Sequence, residues 1–286
     1  MDVIRIPHVM KGTSKDFMLQ GKTVGLVPTM GALHEGHLSL VRRARRENDI
    51  TVVSIFVNPM QFGPTEDFEK YPRNIEEDIE KLQQVGTDIV FMPEVASMYP
   101  EGFSTHIDVE KISEKLCGVF RPGHFRGVAT VVAKLFNSIK PTRAYFGQKD
   151  YQQTVIIKHM VKDLDMDIDI IVCPTIREHD GLAMSSRNAY LDERQREAAT
   201  VIYKSMLEAS ELIKSGIMDT IRVTGAIREK LFHEPAVTDI EYCGVYDAST
   251  LEELSEIKED ILLAVAVKIG KTRLIDNMLV NLNQER

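Results

Sequence analysis

The chain has 286 residues, of which 43% are apolar, so it is long enough for two domains or one large domain with real hydrophobic cores. Its formal net charge of −8 argues against general binding to nucleic acids and to an anionic membrane surface. Three widely spaced cysteines without a CxxC pattern argue against a structural zinc site. With no signal-peptide pattern and no apolar run long enough to span a bilayer, we expect a cytoplasmic protein without a membrane anchor.

Strands and helices alternate over the first part of the chain. Apolar runs predict strands at Thr23–Val27, Ile50–Val57, Asp88–Met92, Arg143–Phe146 and Ile168–Cys173. Amphipathic patterns predict helices at His37–Glu47, Ile75–Val85, Phe125–Ile139 and Tyr151–Leu164. The run VVSIFV at 52–57 is apolar throughout, which is typical of a strand buried on both faces of a parallel sheet. We therefore predict an α/β fold, with a Rossmann-like parallel-sheet domain over residues 1–177.

The pattern changes after Arg177. Helical patterns cover Asp192–Ser215 and Asp219–Phe232. Three short alternating runs then predict strands, at Ile240–Tyr246, Ile261–Val267 and Thr272–Met278. Gly270 and Lys271 form a natural hairpin turn between the last two runs. Residues 178–286 are therefore predicted to form a smaller α+β domain with an antiparallel sheet.

The segment Val24–Leu40, VGLVPTMGALHEGHLSL, is the most informative part of the chain. It predicts a buried strand, a tight turn at Gly31 and the start of a helix, and such a helix N-terminus directs unpaired N–H groups at a bound phosphate. His34 and His37 are three residues apart, so they share a helix face and can both donate to a phosphate group. The plainer alternative is a helix start with two solvated histidines, but the strand–turn–helix context favours the phosphate site.

Polar segments follow three other predicted strands, where ligands of parallel sheets bind. Asn58–Phe62 offers neutral amides, which can orient a hydroxyl or a carboxylate. Gly147–Asp150 places Lys149 at a helix start, an unfavourable position for a cation unless an anion is close. Met184–Arg187 combines two hydroxyls with a guanidinium, which suits a phosphate clamp. The alternatives are a polar loop for the first segment and a helix N-terminal cap for the last.

Five motifs, PTMGALHEGH, FVNPMQF, RPGHFRGVAT, YFGQKDYQQ and AMSSRNAYL, occur in this order along the chain. In order and spacing they resemble the pantoate–β-alanine ligase family, within the HIGH-motif nucleotidyltransferase-like superfamily. The resemblance covers essentially the whole chain. It implies an ATP-dependent ligase that condenses (R)-pantoate with β-alanine through a pantoyl-adenylate, releasing AMP and pyrophosphate. It also implies a homodimer and a requirement for Mg²⁺, brought mainly by ATP. Glu77 and Asp78 are candidate protein ligands for this ion, and no dedicated metal site is expected.

The resemblance assigns roles to individual residues. His37, as proton donor, and His34 would act in adenylation. Gln61 would bind both pantoate and β-alanine, and Gln153 would bind pantoate. The implied ATP-binding residues are Met30, Gly31, Ala32, Leu33, His34, Glu35, Gly36, His37, Gly147, Gln148, Lys149, Asp150, Ile176, Met184, Ser185, Ser186 and Arg187.

The residue inventory agrees with this chemistry. The candidates are hydrogen-bond donors and cations, and the sequence shows no GxSxG, P-loop or Cys/His nucleophile pattern, so adenyl transfer would depend on positioning and charge neutralisation. An acyl-adenylate is labile in water, which gives the second domain a purpose as a lid. Two alternatives remain: a nucleotidylyltransferase of the same fold, which would not release AMP, and a nucleotide-binding regulator, which would not turn ATP over.

Overall fold

The computed structural model describes residues 1–64 and 66–282. Its nine described strands are β1 (Asp2–Ile4), β2 (Val24–Thr29), β3 (Ile50–Ile55), β4 (Ile89–Phe91), β5 (Arg143–Gly147), β6 (Asp169–Cys173), β7 (Val237–Asp247), β8 (Ile261–Ile269) and β9 (Thr272–Val280). The α-helices of the same part of the chain are α1 (Pro7–Leu19), α2 (Glu35–Glu47), α3 (Ile75–Gln84), α4 (Val95–Met98), α5 (Cys117–Phe120), α6 (His124–Ile139), α7 (Tyr151–Asp163), α8 (Glu193–Ala198), α9 (Val201–Lys214) and α10 (Thr220–Phe232). Short 3-10 turns lie at Pro59–Gln61, Ile112–Glu114, Gln148–Asp150 and Ser186–Tyr190.

The chain forms two compact units. The first contains Met1–Glu114, Arg121–Gln148 and Gln153–Pro174, and the second contains Lys115–Phe120, Lys149–Gln152 and the residues from Thr175 onward. The short segments 115–120 and 149–152 therefore belong to the second unit although the first unit surrounds them in sequence. The division into a domain for ATP and pantoate at 1–177 and a lid at 178–286 remains a prediction about function.

The first unit is built on a six-stranded sheet with the order β1-β4-β3-β2-β5-β6, and all of its described pairings are parallel. Its strands are short and almost wholly apolar, and Leu26, Val52 and Val90 are fully buried. The helix α2 packs its buried residues Leu40, Val41 and Ala44 into the core that these strands line. Parallel strands buried on both faces explain the continuous apolar runs in the sequence.

The second unit holds an antiparallel sheet in the order β7-β8-β9, with β8 and β9 joined through the predicted Gly270-Lys271 turn. The central strand β8 is buried at nearly every position, and it shares a hydrophobic core with α9 and α10. This sheet and the parallel sheet of the first unit confirm the predicted fold class.

Several predicted boundaries differ from the structure. The long helix predicted at Asp192–Ser215 is two helices, α8 and α9, because a turn at Ala199 and Thr200 interrupts it. In this turn the Thr200 N–H and hydroxyl both bond to the Glu197 carbonyl three residues back, at 3.2 and 2.8 Å. The sequence interpretation also missed β1 and α1. The strand β1 has three residues, and α1 buries only Met10 and Ser14, so neither carries a strong periodic signal.

All three cysteines are buried and unbridged. Within the described residues, no helix has the length and apolar character needed to cross a membrane.

Candidate functional site

The parallel sheet has a switch point between β2 and β5. From β2 the chain builds β3 and β4 on one side of the sheet, and it later adds β5 and β6 on the other. The strand β2 pairs with β3 as far as Thr29 and Ile55, whereas its described pairs with β5 end at Leu26 and Ala144. The carboxyl ends of β2 and β5 are therefore not laddered together, and such a switch point is where ligands bind in doubly wound sheets.

The turn after β2 has a left-handed backbone conformation that favours glycine. Gly31 has φ +83°, and a Cβ atom there would lie 2.9 Å from the carboxylate oxygen Oδ2 of Asp78. Ala32 also has a positive φ, of 50°, which costs energy for a residue with a side chain. The Thr29 hydroxyl accepts the Gly31 N–H at 3.2 Å and donates to the Ser54 carbonyl at 2.7 Å.

Asp78, on α3, holds this turn in place. Its two carboxylate oxygens accept the N–H groups of Ala32 and Leu33, at 2.8 and 2.7 Å. Lys81, one helical turn later, donates to the Leu33 carbonyl at 2.7 Å. Burial raises the pKa of Asp78, while the two backbone N–H groups act in the opposite direction by favouring the charged form. Because the turn leads directly into His34, these contacts from Asp78 and Lys81 on α3 also hold the N-terminus of α2 in position.

His34 and His37 lie side by side at the start of α2. His34 is the N-cap, with an extended backbone, and the two ring centroids are 4.1 Å apart. The His34 N–H makes a long contact of 3.4 Å with Nδ1 of His37. An acceptor role for Nδ1 places the proton of a neutral His37 ring on Nε2. Glu35 pairs with Arg42 on the exposed side of the helix.

Gln61 lies beyond the end of β3, in a 3-10 turn that begins after Asn58. The Asn58 amide donates to Oε1 of Gln61 at 3.1 Å and to the Gly127 carbonyl at 3.1 Å, while Tyr99 donates to the Asn58 oxygen at 2.8 Å. Since Asn58 occupies Oε1, the Gln61 side chain offers its NH₂ group as the donor end. That group contacts the sulfur of Met30 at 3.2 Å, so the structure brings these two predicted residues together.

The remaining predicted residues of the first unit lie at and after β5. Gly147 ends this strand, and Gln148 begins the 3-10 turn that follows it. Gln153 is half-buried on α7, where the chain returns to the first unit. The first unit thus holds twelve of the predicted site positions, which lie after β2, β3 and β5 and on α7: Met30, Gly31, Ala32, Leu33, His34, Glu35, Gly36, His37, Gln61, Gly147, Gln148 and Gln153.

The other predicted residues belong to the second unit. The carbonyl of Lys149 accepts the Asn277 amide at 2.9 Å, which ties this segment to β9, and the Lys149 ammonium lies 3.8 Å from Asp150. The Met184 N–H bonds to the Ile176 carbonyl at 3.0 Å, so these two residues are neighbours.

Ser185 acts as a helix cap. Its hydroxyl accepts the Arg187 N–H at 3.3 Å at the start of the 3-10 turn Ser186–Tyr190. The alternative considered for this segment is therefore present, and the cap orders the backbone that carries Ser186 and Arg187.

The loop before Ser185 is fixed by an arginine that sequence analysis did not single out. Arg177 forms a forked ion pair with Asp276, at 2.5 and 3.0 Å, donates to the Gly181 carbonyl and lies 4.0 Å from the Tyr203 ring centre. Gly181 has φ +95°, and a Cβ atom there would lie 2.3 Å from the Tyr203 ring. The positive φ and the contact with Tyr203 both require glycine at this position.

The acids considered as metal ligands already have partners. Glu77 pairs with Lys81 at 2.7 Å and accepts from Asn74, and Asp78 holds the backbone of the turn after β2. Over the part of the chain that the structure describes, no group of three His, Cys, Asp or Glu side chains is placed to hold a metal ion.

Comparison with known proteins identifies the family. Residues 2–279 match the family model described as pantoate-beta-alanine ligase. The chain is 60% identical to the pantothenate synthetase of Thermodesulfovibrio yellowstonii over 280 residues, which cover 98% of this chain and 100% of the relative. It is 52% identical to the enzyme of the same name from Fervidobacterium nodosum, with 98% and 100% covered.

Solved structures agree. The crystal structure of pantothenate synthetase from Thermus thermophilus has a TM-score of 0.93 and 43% identity, covering 98% of this chain and 100% of that one. The pantoate-beta-alanine ligase of Francisella tularensis, complexed with beta-gamma ATP and beta-alanine, has a TM-score of 0.79 and 37% identity, with 98% and 97% covered. This chain therefore belongs to the pantoate–β-alanine ligase family and is an ATP-using, pantothenate-forming ligase.

Proposed function

We propose that the pantothenate-forming reaction of this chain proceeds in two steps. The carboxylate of (R)-pantoate first attacks the α-phosphorus of ATP, which gives pantoyl-adenylate and releases pyrophosphate. The β-alanine amine then attacks the acyl carbon, which forms the amide and releases AMP. The observation that carries this proposal is the set of donors around the ends of β2 and β5, which suits charge developing on phosphate oxygens.

In this proposal the ATP-binding residues are the two histidines, the backbone of the turns that follow β2 and β5, and two cations. His34 and His37 donate to the phosphates at the start of α2, where the helix end itself favours an anion. Met30, the backbone of Gly31–His37, Gly147 and Gln148 complete the ATP site in the first unit. The resemblance also assigns Lys149, Asp150, Ile176 and Met184–Arg187, which belong to the second unit, to ATP binding, with Lys149 and Arg187 as the cations.

Gln61 and Gln153 are the proposed pantoate ligands, and Gln61 would also bind β-alanine. The Asn58 amide already donates to the side-chain oxygen Oε1 of Gln61. The NH₂ group of Gln61 is therefore the end that suits a carboxylate or hydroxyl oxygen of pantoate. Neutral amides orient such a small anion without adding charge beside a developing phosphate transition state.

Magnesium would enter as its complex with ATP, since Glu77 and Asp78 already have partners and the phosphates supply hard oxygen ligands. The resemblance further supports a homodimer, which sedimentation velocity would detect as twice the chain mass of 32.4 kDa. We also propose that the second unit acts as a lid, with compaction on binding a non-hydrolysable ATP analogue as its scattering signature.

Isotope exchange between pyrophosphate and ATP tests the adenylate. With pantoate and ATP but no amine, exchange is expected, because the first step is reversible and needs no β-alanine. A complete reaction that forms pantothenate without supporting this exchange would contradict a free adenylate. Release of AMP in the complete reaction separates this ligase from a nucleotidylyltransferase of the same fold.

A further inference from the structure

The segment Arg121–Phe125, RPGHF, belongs to one of the sequence motifs but has no role in the site so far. In the structure it lies against the backbone of Gln61. We propose that Arg121 and His124 are positioning residues for Gln61, which set its amide for pantoate without touching the substrate. This inference rests on the proposed role of Gln61 as a pantoate ligand.

The hydrogen bonds of His124 fix its tautomer. Its Nδ1 atom lies 2.8 Å from the carbonyl oxygen of Gln61, and its Nε2 atom lies 3.1 Å from a guanidinium nitrogen of Arg121. A carbonyl oxygen only accepts and a guanidinium only donates, so Nδ1 carries the proton and Nε2 accepts. In this arrangement a neutral His124 is a donor to Gln61 and an acceptor from Arg121.

Arg121 binds the same backbone carbonyl of Gln61 and is itself held by Glu66. Its Nη2 atom donates to the same Gln61 carbonyl at 3.3 Å, and its fork pairs with Glu66 at 2.8 and 2.6 Å. Burial favours a higher pKa for Glu66, but the bonds from Arg121 are sufficient to lower it below its usual value, so this carboxylate is charged near neutrality. Arg121 is mostly buried, with 12% of its side chain exposed, and is held in one orientation by these contacts.

The turn that carries Gln61 is pressed against α6 as well. A Cβ atom on Gly127 would lie 2.2 Å from the Met60 carbonyl oxygen, so only glycine allows this approach. The Gln61 backbone is thus held at its carbonyl by Arg121 and His124, while Asn58 holds its side-chain oxygen. Fixing both ends before substrate arrives removes the entropy cost of ordering this side chain on binding.

Steady-state kinetics of His124 variants tests the proposal. His124→Leu removes the hydrogen bonds to Arg121 and to the Gln61 backbone carbonyl. We expect the KM for pantoate to rise about tenfold, the effect typical of losing the one bond to Gln61, with the KM for ATP changed less than about twofold. His124→Asn keeps an amide donor for the Gln61 carbonyl and is expected to recover most of the pantoate affinity. His106→Leu, the same change at an exposed histidine of the first unit, is the matched control.

Arg121→Lys provides a second variant, because lysine keeps the charge but loses the fork that bonds both Glu66 and Gln61. It is expected to raise the KM for pantoate severalfold, and Arg126→Lys, at an exposed position on α6, is its control. This variant keeps the test decisive should His124→Leu fail to fold.

Gln61→Ala separates positioning from general structure. When the Gln61 side chain is absent there is nothing left to position, so adding His124→Leu to Gln61→Ala is expected to raise the KM for pantoate no further. Additive effects, equal losses for ATP and pantoate, or no effect of either His124→Leu or Arg121→Lys would overturn the inference. An unchanged KM for pantoate in Gln61→Ala would instead overturn the proposed role of Gln61 itself.

Discussion

Two buried aspartates organise the two compact units in different ways. Asp78 in the first unit accepts two backbone N–H groups directly, from Ala32 and Leu33. Asp276 in the second unit pairs with Arg177, and the arginine in turn bonds to the Gly181 carbonyl. Burial raises the pKa of both carboxyls, and in each the bound donors favour the charged form.

The two aspartates differ in the groups that lose their hydrogen-bond partner when the carboxylate is removed. Without Asp78, two neutral N–H groups lose their acceptor beside the turn that leads to His34. Without Asp276, a guanidinium with 18% of its side chain exposed loses its counter-ion. An uncompensated buried charge costs more than an unsatisfied amide, so the second unit depends on its aspartate for stability, whereas the first depends on its aspartate for the geometry of the turn.

Asp276→Ala is expected to have the largest effect on stability. Loss of the ion pair leaves Arg177 charged and mostly buried, which should lower the free energy of unfolding by about 3–5 kcal/mol. Chemical denaturation followed by circular dichroism measures this change. Asp180→Ala, which removes the partly exposed pair with Arg196, is the control, and an equal loss in both variants would contradict the distinction.

His37→Ala is expected to lower the rate of adenylation by on the order of 100-fold or more, as for loss of a transition-state donor. His34→Ala should behave similarly, because the two rings lie together at the start of α2. Single-turnover formation of pyrophosphate from ATP and pantoate measures this step. His8→Ala, at an exposed position on α1, serves as the control, and normal adenylation by His37→Ala would remove His37 from the mechanism.

Asp78→Asn is expected to raise the activation free energy of adenylation by more than it lowers the free energy of unfolding. The asparagine oxygen can accept one of the two N–H groups, but its NH₂ group faces the other, so the turn before His34 shifts. Loss of one buried acceptor corresponds to about 1–3 kcal/mol, or roughly 5- to 150-fold in rate where the whole cost falls on the transition state. Glu76→Gln, an exposed change in the same turn of α3, is the control. Wild-type adenylation by Asp78→Asn would show that the turn keeps its geometry without the carboxylate.

The pair between Asp180 and Arg196 should have the smallest effect and a definite pH dependence. Arg196 lowers the pKa of Asp180 below its usual value, so the pair contributes stability above the unfolded pKa near 3.8 and loses it as the pH falls through the folded pKa. Its contribution is at most about 1 kcal/mol, because the pair is partly exposed. The difference in unfolding free energy between the wild type and Arg196→Ala should therefore shrink between pH 7 and pH 3, and a difference that is constant with pH would contradict this account.

The sequence by itself determined the features whose causes are local. The apolar runs predicted the parallel strands because burial on both faces favours apolar residues at most positions, and the segment from Val24 to Leu40 predicted a strand, turn and helix start. The order of five motifs predicted the family, and the matches to known pantothenate synthetases confirm it. The Gly270-Lys271 hairpin was predictable for the same reason, since a turn depends on its own residues.

Only the tertiary structure decided which distant groups hold these local elements in place. Asp78 is 46 residues from Ala32, and His124 is 63 residues from Gln61, so no periodic pattern or short motif connects them. The placement of 115–120 and 149–152 in the second unit, and the ion pair of Arg177 with Asp276 across 99 residues, have the same origin. A hydrogen bond between remote segments depends on the three-dimensional path of the chain, and the sequence signal for that path is spread over every packed residue rather than contained in either partner.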